Sequence, residues 1–314
     1  LIDAAAEAQV DAVKFQTFKT EKLIQENLEK ETYQKETTGS EENQFQMLKR
    51  LELTKEDFLE LQSYVESKKL IFLSTPYEEE SVDLLSSIGV QLFKIGSGEI
   101  TNLPFLSYLA KKQTPLILST GASTMEEVSE AVTTIEKEGN KQIIILHCTT
   151  NYPTSPSNVN LKAMLSLKKQ FGFITGYSDH TLGIEVAVGA VAMGAKVIEK
   201  HFTLDKTLPG PDHQASIEPE ELKTFVKAIR KIELALGSSI KQPVKSEEET
   251  LRLGRRSLVI TQDVKKGEIL TRELIAIKRP GTGLLPKYLE RFIDKKVTRD
   301  LKKDDLLDWK DIEQ

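Results

Sequence analysis

The sequence predicts an α/β chain built as a (β/α)8 (TIM) barrel without its first strand, followed by a small β-rich module. Three observations carry this. Seven short apolar runs alternate with helix-type segments between residues 11 and 237, and such alternation calls for a parallel sheet with crossover helices. The region approaches the ~250 residues usual for such barrels. A helix pattern already stands ahead of the first strand-type run. An open doubly wound sheet is the structural rival. No Gly-x-Gly-x-x-Gly follows the first strand, which weakens its dinucleotide-binding form.

The elements follow in order. Leu1–Gln9 is Ala-rich with no breaker and reads as a helix. The chain opens inside that pattern, at Leu1 and not Met, so the expectation is a parent chain with further residues ahead of it. Asp11–Gln16 is a buried-type strand. Residues 19–50 are polar without a period, a long loop with helical pieces, of the kind that often carries function. Thr54 with Glu56 and Asp57 opens a helix in the capping-box manner, running to about Lys68. Leu70–Thr75 is a strand stopped by Pro76, Glu79–Ile88 a helix, and Gln91–Ile95 a strand ending in Gly96-Ser-Gly-Glu99. Pro104–Lys111 is a short helix and Pro115–Ser119 a strand ending in Thr120-Gly121. The helix Thr124–Glu138 stops at Gly139, before the strand Gln142–Cys148 and the helix Leu161–Gln170. Phe173–Tyr177 and Lys196–Phe202 are strands on either side of the Ala/Val-rich helix Ile184–Met193. Glu218–Leu236 is a long amphipathic helix that closes the series.

Residues 238–256 change to linker composition. Residues 257–314 form a module of short β runs and Gly-centred turns, too small for a large core and expected to lean on a partner surface. The expected division is therefore a barrel over 1–237, a linker over 238–256 and the module over 257–314.

Bulk composition narrows the function classes. With 314 residues, 39% hydrophobic and 29% charged, the chain reads as globular and able to bury a full core. A formal net charge of −5 without a long basic run argues against nucleic acid as the main partner. No run approaches the ~18 apolar residues of a membrane span. The single cysteine, Cys148, leaves no intrachain disulfide and fits a cytoplasmic setting.

The chemistry gathers at strand ends, which such barrels bring to one face. They carry Lys14 and Gln16; Ser74 and Thr75; Lys94, Ser97 and Glu99; Ser119 and Thr120; His147 and Thr149 through Tyr152; Ser178, Asp179 and His180; and His201. Lys14 and Lys94 with Ser97, Ser119 and Ser178 suit a phosphate or carboxylate, held by charge-assisted hydrogen bonds. Gly96 and Gly121 let backbone N–H groups come close to an anion. His180 and His201 suit a divalent cation through neutral imidazole, although two histidines alone fit a hydrogen-bonding role equally well. His147 reads as buried or supporting, Cys148 as core, and His213 as exposed in a Pro/Gly loop. Glu99 and Asp212 are candidate acid/base or hydroxyl-binding carboxylates.

Taken together, Lys94-Ile-Gly-Ser-Gly-Glu99, Ser119-Thr-Gly121, His147-Cys-Thr-Thr-Asn-Tyr-Pro153, Gly176-Tyr-Ser-Asp-His-Thr181, Glu199-Lys-His-Phe-Thr203 and Pro209-Gly-Pro-Asp212 resemble the sialic acid synthase family over nearly the whole chain. The tail from Ser257 resembles that family's antifreeze-like (SAF) domain. The resemblance implies a phosphoenolpyruvate-dependent transferase. It would join phosphoenolpyruvate to an N-acetylated hexose of the N-acetylmannosamine type, giving a nine-carbon ulosonic acid and phosphate. It implies His180 and His201 as ligands of Mn2+ or Mg2+. Lys14, Thr75, Lys94, Ser97, Ser119 and Ser178 would bind phosphoenolpyruvate, and Gln16, Glu99, Tyr152 and Asp212 would surround the sugar. It also implies a domain-swapped homodimer in which Arg279 reaches the acceptor's N-acetyl group from the partner. Of these residues Lys94, Glu99, Asp212, His180 and His201 form the expected catalytic set. Two departures stand out. Thr150 falls where some members carry an asparagine on the phosphate side. The first strand, with the family's glutamate beside the metal and an Asn-His-Asn-Gly-type loop, is absent from the sequence, so impaired activity is expected of this chain alone.

The nearest alternative keeps the mechanism and changes the sugar, to a diacetylated hexose giving N,N'-diacetyllegionaminate or to the precursor of pseudaminate. Loop residues such as Thr37–Met47 are expected to set that choice, and the Gly96–Glu99 and Ser119–Gly121 motifs resemble the sialic and legionaminic branches. A non-catalytic sugar-binding homologue is a third reading, opposed by the presence of both lysines, both metal-type histidines and Asp212.

Overall fold

The structure, a computed structural model, describes residues 1–30, 32–39 and 41–313. It divides into two compact units, Leu1–Gly237 and Ser238–Gln314.

The first unit is a curled parallel sheet of seven strands in the order β1 to β7: β1 Ala12–Thr17, β2 Ile71–Pro76, β3 Phe93–Ile95, β4 Leu116–Ser119, β5 Ile143–Cys148, β6 Ile174–Asp179 and β7 Ile198–Lys200. Every neighbouring pair is parallel, as expected when a helix carries the chain back between strands. Among the described residues no eighth strand closes the sheet, so β1 and β7 are its edges. The alternation read from the sequence is thus present as an open, strongly curled sheet in place of a closed barrel.

Helices α1 Ile2–Glu7 and α5 Lys55–Ser67 to α11 Pro219–Leu236 cover the convex face, with α6 Glu79–Ser87, α7 Leu103–Lys111, α8 Met125–Lys137, α9 Lys162–Phe171 and α10 Glu185–Ala192 between. The polar stretch after β1 folds into three short helices, α2 Thr20–Leu23, α3 Thr32–Thr38 and α4 Gln44–Lys49. Capping explains several starts. The Thr54 hydroxyl accepts the Asp57 N–H while the Asp57 carboxylate accepts the Thr54 N–H, and Thr124 with Glu127 repeats the arrangement at α8. α9 stops at Gly172, whose φ of +73° is the left-handed conformation that ends helices.

Two apolar layers hold sheet and helices together. One packs Phe72, Phe93, Ile95, Leu116, Leu118, Ile143 and Ile145 against Phe58, Leu85, Leu106 and Val132. The other packs Tyr177 and Ile198 against Met164, Ala187, Ala190, Leu222 and Phe225. Gly176 is required here, because a Cβ on it would meet the Val197 carbonyl of the adjoining β7 segment.

The second unit pairs β8 Ser257–Ile260 antiparallel with β9 Ile275–Lys278, with single bridges at Val264–Leu301, Ile269–Lys296 and Val297–Ile312. Leu258, Ile260, Phe292, Leu301 and Leu307 give it a core of its own.

Candidate active site

Strand parity decides which residues meet. Side chains alternate between the faces of a strand. Val13, Phe15, Phe72, Phe93, Ile95, Leu116, Leu118, Ile143, Ile145, Tyr177 and Ile198 all face the helices. Their alternates therefore turn to the concave side: Lys14 and Gln16, Thr75, Lys94, Ser119, Cys148, Ser178 and Glu199, and, one step past the last two strands, His180 and His201.

At the floor of this concavity two lysines share one carboxylate. Lys14 Nζ lies 3.3 Å from Glu199 Oε1, and Lys94 Nζ lies 3.3 Å from Glu199 Oε2. The first of these contacts ties together the two edge strands. Lys94 Nζ also donates to Ser119 Oγ at 2.7 Å and to the Ile95 carbonyl at 3.0 Å. Burial alone would raise the Glu199 carboxyl, but Lys94 and Lys14 outweigh it and hold the group down at about 2. Lys94 is pushed below the ordinary lysine range, by burial first and by the like charge of Lys14, against the pull of Glu199. Two ammonium groups against one carboxylate leave a net charge of +1, and Glu199 Oε2 makes no hydrogen bond. The site is a buried cationic cradle suited to an anion.

The wall beside it is built by close packing. The Gly121 N–H donates to Ser97 Oγ at 2.9 Å. A Cβ on Gly121 would lie 2.5 Å from Thr150 Cγ2 and 2.9 Å from Ser97 Oγ, so only glycine lets these three segments meet. Thr150 thus fills space against Gly121. The Cys148 thiol, raised by burial, touches the Ser97 and Ser178 hydroxyls.

Above the cradle stand two imidazoles and a phenol ring. The ring centroids of His180 and His201 are 5.3 Å apart, and Tyr152 lies 4.1 Å from His180 and 5.5 Å from His201. The Thr149 carbonyl, 2.6 Å from His180 Nδ1, can only accept, so Nδ1 carries the proton and Nε2 keeps its lone pair. Burial pushes His180 below the usual imidazole range. Burial, Lys14 and His180 push His201 down to about 3. Both rings are therefore neutral at physiological pH. A backbone carbonyl fixing the tautomer of a neutral imidazole is the support that metal-bound histidines use. Among the described residues no group of three or more His, Cys, Asp or Glu is arranged to hold a metal ion. The pair thus fits two positions of a metal's coordination shell, with the others left to water or substrate oxygens.

The remaining expected residues are distributed as follows. Asp212 Oδ2 faces His201 Nδ1 at 3.9 Å. The Glu99 carboxyl is raised by burial and accepts from Asn102 Nδ2 at 2.7 Å. Gln16 Nε2 donates to the Tyr77 hydroxyl at 3.2 Å, and Thr75 is buried. Thr37 Oγ1 reaches the Pro211 carbonyl at 3.4 Å, which brings α3 beside Asp212; Ser40 of the same segment lies outside the described residues. His147 points to the helices, hydrogen-bonds the Val159 carbonyl and stacks on Tyr177, in keeping with a supporting role. His213 is not simply exposed: its Nδ1 pairs with Thr203 Oγ1 at 2.7 Å and its ring packs over Gly210, shaping the loop that carries Asp212. Arg279 is exposed in the second unit, where Ser257 Oγ donates to the Pro280 carbonyl at 2.6 Å and accepts the Gly283 N–H at 2.9 Å.

Glu199 was not among the residues singled out from the sequence. The signal was present: it stands two residues before His201 on a strand, hence on the same face.

Comparison with known proteins settles the relationship. Residues 1–241 match the model of the NeuB family, and residues 255–313 that of the SAF domain. The chain belongs to the NeuB family. Within it, the N,N'-diacetyllegionaminic acid synthase of Campylobacter jejuni is 47% identical over 98% of this chain and 92% of its own length. Human N-acetylneuraminate-9-phosphate synthase is 36% identical over 98% of this chain and 86% of its own. The crystal structure of an N-acetylneuraminic acid synthetase from Leptospira borgpetersenii, in complex with citrate, superposes with a TM-score of 0.71 at 37% identity, over 79% of this chain and 82% of that one. These NeuB relatives bear out the family resemblance read from the strand-end motifs. The identity to the legionaminic acid enzyme is greater than that to the human sialic acid phosphate enzyme.

Proposed function

We propose that this protein condenses phosphoenolpyruvate with a diacetylated hexose and water, giving an N,N'-diacetyllegionaminate-type ulosonic acid and phosphate. The observation that carries the reading is the Lys14–Glu199–Lys94 cradle with Ser119, on the same concave face as two neutral imidazoles and in electrostatic reach of His201. The choice of sugar follows the greater identity to the legionaminic acid enzyme.

In this reading Lys14, Lys94 and Ser119, with Ser97, Ser178 and Thr75 around them, hold the carboxylate and phosphate of phosphoenolpyruvate. The added negative charge opposes the downward push on Lys94 and favours its ammonium form. Tyr152, Gln16 and Asp212 orient the open-chain sugar so that its aldehyde carbon meets C3 of phosphoenolpyruvate. A divalent cation, Mn2+ or Mg2+, held by His180 and His201 would supply Lewis-acid polarisation of the aldehyde oxygen. The new C–C bond leaves C2 electron-poor, water adds there, and phosphate departs. Glu99, whose carboxyl is raised by burial, and Asp212 are the groups placed to give and take protons. Residues 1–237 form the synthase domain, 238–256 a linker, and 257–314 the SAF domain, whose Arg279 would serve the acceptor of a partner subunit in a swapped homodimer.

The test is phosphate release from phosphoenolpyruvate with Mn2+ and a sugar panel, with product mass measured. Turnover greatest with the diacetylated hexose is expected. Turnover only with N-acetylmannosamine would return the acceptor to the sialic acid type, and absence of phosphate release with every sugar of the panel would defeat the catalytic reading.

A further inference from the structure

We propose that the buried Asp179–Lys200 ion pair is a positioning device, acting from behind the sheet to fix the spacing of His180 and His201; this rests on the role given to those histidines above. Asp179 and Lys200 are directly paired residues of β6 and β7. Each is the chain neighbour of one histidine. Lys200 Nζ lies 2.6 Å from Asp179 Oδ2, with side-chain exposures of only 4% and 0%.

The pair is fully satisfied. Asp179 Oδ1 accepts the Thr181 N–H at 2.9 Å, the Thr181 hydroxyl at 2.7 Å and the Tyr177 hydroxyl at 3.1 Å. Lys200 Nζ also donates to the Thr181 carbonyl at 2.7 Å. By parity both side chains lie on the helix-facing side with Tyr177, so neither meets a substrate in the concavity. A buried ion pair seldom adds stability over an apolar pair of similar volume, because desolvation cancels most of the attraction. Its value here is register. β7 spans three residues and, among the described residues, is laddered to β6 alone, with one further bridge, Phe202–Ile217, just past its end. A slip of one residue would turn Glu199 and His201 to the convex face. A charged pair that fits one alignment, at the strand ends from which both histidines spring, opposes that slip where it matters most.

The test replaces the pair without leaving a buried charge, as Asp179→Asn with Lys200→Met. The asparagine oxygen can still accept from Thr181 and Tyr177. Three measurements are made on the full chain: urea unfolding, Mn2+ binding by EPR, and the long-range 1H–15N spectrum of the imidazoles. The chain has four histidines, and His180→Gln and His201→Gln assign the relevant signals. The expected result is unfolding close to wild type, shifted or broadened signals from His180 and His201 with those of His147 and His213 in place, and Mn2+ affinity lower by about tenfold. Unchanged His180 and His201 signals would overturn the proposal. So would failure of the double variant to fold, which would make the pair a stability element. Mn2+ binding that survives both His→Gln changes would sink the metal reading instead, while the imidazole spectrum would still decide the positioning role.

Discussion

Replacing Glu199 by glutamine removes the one carboxylate shared by Lys14 and Lys94, and its consequences can be worked out in sign and size. The folded protein holds this carboxyl at about 2 against an ordinary 4.5. At about 1.4 kcal/mol per pKa unit, the ionised form contributes about 3 kcal/mol to folding. For a depressed carboxyl that contribution is present above the unfolded value and is lost as pH falls from about 4.5 through about 2. At neutral pH Glu199→Gln is therefore expected to cost up to about 3 kcal/mol in urea unfolding of residues 1–237, and the variant's stability should lose much of its dependence on pH in that acid window. The same change takes the cradle from a net charge of +1 to +2. An added anion then has more to neutralise. Phosphoenolpyruvate at a hundred times its Kd stabilises any binding protein by about 2.7 kcal/mol, so the variant should be rescued at lower phosphoenolpyruvate concentrations than wild type needs for the same gain. Unfolding at pH 7 equal to wild type, with no anion-dependent recovery, would refute the account of the cradle.

Other substitutions probe the geometry separately. Gly121→Ala drives a methyl into Thr150 and Ser97 and should raise the KM for phosphoenolpyruvate several-fold; an unchanged KM would show that this wall is not part of the anion site. Gly176→Ala meets the Val197 carbonyl, a backbone atom that cannot step aside. A loss of about 2 kcal/mol or more is expected, and a variant as stable as wild type would contradict the packing of β6 on β7. Arg230→Ala breaks a surface pair with Asp11 at 2.6 Å, yet the expected cost is below about 1 kcal/mol, and a larger loss in urea would mean that this pair braces the chain across the open edge. Arg279→Ala should raise the KM of the acceptor far more than that of phosphoenolpyruvate, and equal effects on both would argue against a contact with the sugar.

Much of this molecule was legible in its sequence because the determining interactions are local. The alternation of apolar runs and amphipathic segments follows from what each segment must bury, and Thr54 and Thr124 mark helix starts through hydrogen bonds within a few residues. Lys14, Lys94, Ser119, His180 and His201 could be gathered in advance because parallel strands bring their C-terminal ends to one side. Other features depended on distance in the chain. Glu199 became part of the site because the sheet curls far enough for Lys14, 185 residues earlier, to reach it from the opposite edge. His147, read from the sequence as buried or supporting, found its partner Val159 twelve residues on, and His213 gained a task because the loop from Thr203 folded back onto its ring. Ionisation belongs to this second class. The sequence supplies two lysines, a glutamate and two histidines with ordinary affinities for protons; in the folded site burial moves His201 down to about 3, and Lys94 and Lys14, against burial, hold Glu199 at about 2. Local order is encoded by neighbours in the chain, whereas the charge state of the site is set by neighbours in space, where low dielectric makes a few ångströms decisive.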